Sequence, residues 1–295
     1  MKGSSDASTV VLDHVGFIVR DLEATSALLA QLGFTQTQRA DHTRTDEHGA
    51  AVSAGSSQRS IMLGGGYIEL MQITDPAKGH QLASATSVRH GLHIVAFGTG
   101  DAQLCHAQCL RNGVAAGPVL YWSRAVNEVG ATGVAQFAYF GTAWEPHDPS
   151  YLCWVEHRTP ELLRPPQLLQ HANGALALVG MHYRGPRRDA LAWAERLQTA
   201  GGRRVGVDAQ GVEMALPNAF IRLDFDAAAR SLEPSVLVME FSDSEGLRQR
   251  CTGMGIVHQR LDHGALELDL RAQLGMVWVC RIAAPASKGE ADGAA

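Results

Sequence analysis

A short apolar strand pattern running into a helix-capping aspartate occurs twice in this chain, and no other feature restricts its fold as much. The first copy is Val11-Leu12-Asp13-His14-Val15-Gly16-Phe17-Ile18-Val19-Arg20-Asp21-Leu22, and the second is Gly91-Leu92-His93-Ile94-Val95-Ala96-Phe97-Gly98-Thr99-Gly100-Asp101. In each a histidine sits near the strand's start, with the aspartate seven residues on in the first copy and eight in the second. Such a recurrence points to an internal repeat whose units must pair to bury a common core.

The same strand-then-helix order divides the chain into four segments. The first, Leu12 to Asp75, predicts a strand over Val15 to Val19 and a helix over Asp21 to Leu32, with Asp21 as N-cap and Gly33 after the last turn. Further strands are predicted over Phe34 to Arg39, Ala51 to Leu63 and Tyr67 to Ile73, the last two separated by the turn Gly64-Gly65-Gly66. The second, Gly91 to Thr159, repeats this with a helix from Asp101 to Leu110 and strands over Val119 to Val126, Val134 to Phe140 and Tyr151 to His157. The third is Leu176 to Phe225 and the fourth Val236 to Ile282. The expected fold is α+β: four tandem βαβββ modules of roughly 45–70 residues, paired into two cupped, open barrels of antiparallel type. Residues 9–160 form the first domain and 175–283 the second, joined by a proline-bearing linker, 161–174, with polar, irregular ends at Met1 to Ser8 and 284–295.

A net charge of −5 gives no reason to expect nucleic acid or an anionic membrane as partner, and no apolar run reaches the length of a membrane span. The N-terminus lacks the apolar stretch of a secretory signal. Cys105, Cys109, Cys153, Cys251 and Cys280 are odd in number, scattered and without a CxxC pair, as in a reduced, cytoplasmic protein. The expected partner is a small molecule. A homodimer is compatible with the chain, and the sequence leaves oligomeric state open.

Chemistry is carried by polar residues on strands that are otherwise apolar. Glu69, in Tyr67-Ile68-Glu69-Leu70-Met71, is a mid-strand carboxylate that is expensive to bury without a partner. His14 and His93 occupy matching places, whereas the same place holds Leu178 in the third segment and Val236 (or Ser235) in the fourth; Arg222 stands where Glu69 does. The scaffold accepts other residues there, so the two histidines point to chemistry. Arg59, before Ile61-Met62-Leu63, and Arg124, after Tyr121-Trp122, are candidates to hold a substrate anion. His42 and His48 fall in a polar run, Asp41 to Gly49, that reads as a loop over the site. Glu145 and His147 lie in another loop and are candidate acids or bases. His182 and His258 read as structural. No phosphate loop or serine-nucleophile elbow occurs.

The segment Leu12 to Leu22, the later Gln58-Arg59-Ser60-Ile61-Met62-Leu63-Gly64-Gly65-Gly66-Tyr67-Ile68-Glu69-Leu70, and His171-Ala172-Asn173-Gly174-Ala175 together resemble the glyoxalase-like domain proteins of the vicinal oxygen chelate superfamily. The resemblance implies a divalent metal in a cup between paired modules, held by His14, Glu69, His93 and a residue of Tyr151 to His157. Glu156 is the natural carboxylate, although direct overlay on Glu69 selects Cys153; His157 is a further alternative. Iron, manganese, nickel, zinc and cobalt all suit such a donor set. The implied activity is that of a metal-dependent isomerase or lyase acting on a small carbonyl or enol substrate, with Glu69 and Glu156 as proton-transfer groups. The alternatives are an Fe(II) ring-cleaving dioxygenase and a metal-free small-molecule binding or resistance protein, since one fold hosts all three.

Overall fold

The computed structural model describes residues 10–89 and 91–284, so the two polar ends lie outside the described residues apart from Ala284. Strand β1 (Val11–Ile18) leads into helix α1 (Leu22–Gln31), followed by β2 (Ala40–Thr45), β3 (Ala51–Met62) and β4 (Tyr67–Ile73). After a short α2 (Ala85–Val88), the order recurs as β5 (Gly91–Gly98), α3 (Ala102–Arg111), β6 (Leu120–Glu128), β7 (Ala131–Gly141) and β8 (Tyr151–His157). The second half holds β9 (Ala175–Gly185), α4 (Arg187–Thr199), β10 (Arg203–Val207), β11 (Gly211–Leu216) and β12 (Ala219–Phe225). It continues with β13 (Glu233–Phe241), α5 (Glu245–Gly253), β14 (His258–Arg260), β15 (Leu266–Leu270), α6 (Arg271–Leu274) and β16 (Met276–Ile282). The aspartates act as read: Asp21 accepts from Ala24 N and Asp101 from Leu104 N, capping α1 and α3.

Strands β1 to β8 close into a barrel in the order β1-β4-β3-β2-β6-β7-β8-β5, whereas β9 to β16 form an eight-stranded sheet with β10 and β14 at its edges. Two open antiparallel cups were the expectation, and both terms need correction. The first cup is closed, because β2 meets β6 through Thr43↔Ser123 and Arg44↔Trp122, with their hydroxyls 2.8 Å apart. In the second sheet the corresponding strands, β10 and the three-residue β14, do not pair with each other. The sheets are also mixed, since β1·β4, β5·β8, β9·β12 and β13·β16 are parallel. The helix after each first strand returns the chain to that strand's starting end. The next three strands meander, and the last of them therefore runs parallel to the first.

Alternation along β1 and β5 decides what faces the barrel interior. Val15, Phe17, Val95 and Phe97 point outward and join one apolar core with Met181, Leu237, Phe241 and Trp278 of the second sheet. Phe17 and Phe34 meet Trp278 at 6.0 and 5.8 Å between ring centroids. The two sheets therefore share a core. Residues 161–174, expected as a linker, are pinned to the barrel. His171 Nε2 donates to Met62 O, its Nδ1 accepts from Thr35 N, and Asn173 donates to Leu32 O. Leu163 and Leu168 from this segment pack with Met62 and Tyr67 and cover part of the barrel.

Strand β2 takes the place of the strand expected over Phe34 to Arg39 and of the first part of the loop expected over Asp41 to Gly49, whose remainder, Asp46 to Gly49, is a turn. Its inward residue is His42, so the apolar alternation by which a strand is read is missing.

Candidate active site

The barrel interior is a cavity of about 720 Å³, including solvent at its mouth, and His14, His42, Glu69, Arg124 and Cys153 all line it. Each arrives from a different strand, β1, β2, β4, β6 and β8. His14 is at the centre of the arrangement. Its Nδ1 donates to Asp13 Oδ2 at 2.8 Å, and its Nε2 faces Glu69 Oε2 at 3.9 Å. Asp13 also accepts from His157 Nε2, at 2.9 Å to Oδ2 and 3.1 Å to Oδ1. Tyr67 stacks on the His14 ring at 4.3 Å. On the far side of Glu69, His42 Nε2 lies 3.5 Å from Oε1, while its Nδ1 is paired with Ser56 Oγ.

Burial shapes the charges. It would push the Asp13 carboxyl up, but the hydrogen bonds and charges of His14 and His157 outweigh it and hold Asp13 well below the usual carboxylate range. Glu69 is raised, chiefly by burial and further by Asp13, with His14 and Arg124 opposing. His42 is driven down to about 3 by burial and then by the Arg124 charge, and His80 down to about 4 by burial, so both imidazoles are neutral at pH 7. The Cys153 thiol is pushed well above its ordinary value by burial and by the Glu69 and Asp13 charges, and it stays protonated.

The register of β1 against β5 shows why the two histidines are not equivalents. His14 pairs with Ala96 and Gly16 with Ile94, so exchanging the strands puts Ile94 where His14 stands. Asp13 and His93 are the extra residues at the two register shifts. The one-residue difference in spacing to Asp21 and Asp101 is this offset. His93 is fully buried away from the cavity, with Nδ1 bonded to Gly91 O and its ring against Trp144. By the same rule Tyr67 (beside His14) matches Tyr151 (beside Ile94), and Glu69 matches Cys153. Glu156 instead accepts from Ala102 N at the start of α3.

The second sheet completes the comparison. Gly180↔Phe220 and Val236↔Val277 occupy the positions of His14↔Tyr67, which puts Gly180, rather than the expected Leu178, in the histidine slot of the third segment. Val236 fills the slot in the fourth, and Arg222 and Val279 stand where Glu69 does. Only the first segment has both a histidine and a glutamate at these positions.

Of the expected residues, then, the structure brings His14, Glu69 and Arg124 into one cavity and leaves His93 and Glu156 outside it. Arg59 donates to Thr37 O and Glu23 on the outer face of β3, and it does not reach the interior. His48 is exposed, and Glu145 lines a groove between the halves. Asp13 was not among the expected residues, although a carboxylate beside a strand histidine is its signal, and His42, expected in a loop over the site, lies on a barrel strand facing Glu69. The donor set does not fit the four-ligand divalent site that the resemblance implies. Two of the four matching positions are an isoleucine and a protonated thiol, and the buried Arg124 cation shares the space. Among the described residues no three histidine, cysteine or acidic side chains are grouped to hold a metal ion.

A family model described as a glyoxalase-like domain matches residues 12–201. Among curated proteins none matches this sequence. Of solved structures, a hypothetical protein from Staphylococcus aureus is similar at a TM-score of 0.63 and 9% identity, over 93% of this chain and 100% of that one. A variant of 4-hydroxymandelate synthase from Streptomyces coelicolor is similar at 0.53 and 13% identity, over 93% of both chains. A fusion of a xylose isomerase-like TIM barrel with 4-hydroxyphenylpyruvate dioxygenase is similar at 0.52 and 12% identity, over 97% of this chain and 51% of that one. At these identities the likenesses establish a shared fold. No described helix is long and apolar enough to cross a membrane. With the family model spanning most of the chain, this protein belongs to the glyoxalase-like domain family of the vicinal oxygen chelate superfamily.

Proposed function

We propose that the barrel is the active site of an isomerase or lyase that moves a proton on a small carbonyl-bearing substrate. The observation that carries this reading is the Asp13–His14–Glu69 line at the wall of the barrel cavity. Asp13 holds the proton of His14 on Nδ1 and leaves the Nε2 lone pair toward the interior, the tautomer a general base needs. A carbon acid beside a carbonyl gives its proton to Nε2, and the Asp13 carboxylate stabilises the imidazolium that forms. Glu69, raised by burial, holds its proton to higher pH than an ordinary glutamate, lends it to the developing enolate oxygen and takes it back as the carbonyl re-forms. Return of the His14 proton to a different carbon completes an isomerisation; in an elimination the β-substituent leaves with its bonding pair and takes up the His14 proton.

The test is deuterium incorporation from D2O into a panel of 2-oxo acids and 1,3-dicarbonyl compounds, followed by NMR. His14→Gln is expected to lower exchange by about 10²–10⁴-fold, the usual contribution of a positioned base. Stoichiometric divalent metal in protein purified without added metal, with exchange lost on chelation, would overturn the metal-free reading. Equal exchange by His14→Gln would overturn the site.

A further inference from the structure

The most unusual group in the cavity is a cation without a counter-ion. Arg124 is 6% exposed and lines the interior. On β6 it lies opposite Ala135, whose small side chain leaves the guanidinium room. Among the described residues no carboxylate lies within ion-pair distance of it; Glu69 and Glu128 act only at longer range, and its guanidinium lies over the Phe137 ring at 6.0 Å. A buried guanidinium is costly unless an anion meets it, and its planar fork suits a carboxylate. Trp122 lies two residues before Arg124 and therefore on the same face of β6. Half-buried Phe137 and Tyr139 flank it from β7, with Trp122 and Tyr139 edge to face at 5.1 Å. Met71, Ile94 and Val155 provide apolar wall elsewhere in the cavity. Of the other basic groups lining the interior, His42 and His80 add no charge, being neutral at pH 7. Arg124 offers one planar fork, enough for one carboxylate, and the ionised Asp13 behind His14 disfavours further negative charge on a ligand.

We infer that the cavity binds a flat, ring-bearing monocarboxylate, with its carboxylate on Arg124 and its ring among Trp122, Phe137 and Tyr139. This rests on the proposed function only in taking the barrel interior as the binding site. Binding of 3-phenylpropionate, 3-phenylpropionamide, 3-cyclohexylpropionate and phenyl phosphate, measured by calorimetry at pH 7, tests it. The acid is expected to bind the wild-type protein at least tenfold tighter than its amide, and several-fold tighter than the cyclohexyl acid or the phosphate. Arg124→Met is expected to abolish the preference for acid over amide, and Arg124→Lys to retain part of it. Equal binding of acid and amide, tighter binding of the phosphate, or no binding of any probe would overturn the inference on wild-type protein alone, even if Arg124→Met does not fold. The same series on His14→Gln separates the two readings. An acid preference that survives there, with no deuterium exchange by wild type, sinks the proton-transfer reading and leaves this one standing. His14-dependent exchange with no acid preference does the reverse.

Discussion

Replacing Asp13 by asparagine perturbs the proposed base without changing the shape of the site. The carboxylate accepts from two imidazoles, His14 Nδ1 at 2.8 Å and His157 Nε2 at 2.9 Å. An amide offers one acceptor and one donor, so one of the histidines must change tautomer. If His14 changes, its proton moves to Nε2, the base is lost, and the rate falls by about 10⁴-fold, as for a triad aspartate made asparagine. If His157 changes, only the charge stabilising the imidazolium is lost, and about 10²-fold is expected. Exchanging two charge-assisted hydrogen bonds for neutral ones costs about 1–1.5 kcal/mol each. Because a neutral amide is easier to bury, the expected loss of stability at pH 7 is about 2 kcal/mol. The pH dependence has a definite sign. Asp13 is depressed in the folded state from its ordinary 3.8, so its contribution is complete above that value and is lost as pH falls through it toward the folded pKa. At pH 3 the gap between wild type and variant should narrow by about 1 kcal/mol. Urea unfolding at pH 7 and pH 3 measures the gap, and nitrogen NMR of the imidazoles reads the tautomers. A variant with unchanged tautomers and near-wild-type exchange, or a stability gap that does not narrow in acid, refutes the reasoning.

Four further outcomes follow from the contacts described. A Cβ on Gly16 would stand 2.7–3.0 Å from Ile94 side-chain atoms, so Gly16→Ala should cost about 1–3 kcal/mol in chemical denaturation, and Ile94→Ala should recover part of it in the double variant. Glu156→Gln should weaken the start of α3 by about 0.5–1 kcal/mol and leave deuterium exchange unchanged, whereas a ligand role would abolish it. Trp278→Ala removes a fully buried ring shared by both sheets and should cost about 3–5 kcal/mol. In calorimetry the wild-type chain should melt in one transition, and two separate transitions would argue against a shared core.

Much of the fold could be read from local pattern. The capping aspartates, the apolar strands around Phe17 and Phe97, and Tyr67 to Ile73 state their structure within a few residues. Strand β2 could not be read in this way, because its inward side chain is the polar His42 and its alternation lacks an apolar phase. The candidate site was half legible. Glu69 was conspicuous as a carboxylate in an apolar strand and His14 as a histidine in another, but His93 shares His14's surroundings in sequence and not in space. One extra residue in each of two paired strands moves His93 onto the other face, and a period of two turns a one-residue slip into exclusion from the cavity.

The sequence by itself determined the strand–helix order, the caps and the apolar faces, because these depend on neighbours a few residues apart. Tertiary structure alone decided that the first cup closes while the second stays open, that residues 161–174 bind to the barrel, and that His14 faces Glu69 and His42 rather than His93. It also decided that Arg124 is buried without a carboxylate at hand. Each of these depends on strand registers and on pairs of residues distant in sequence, which no local pattern encodes.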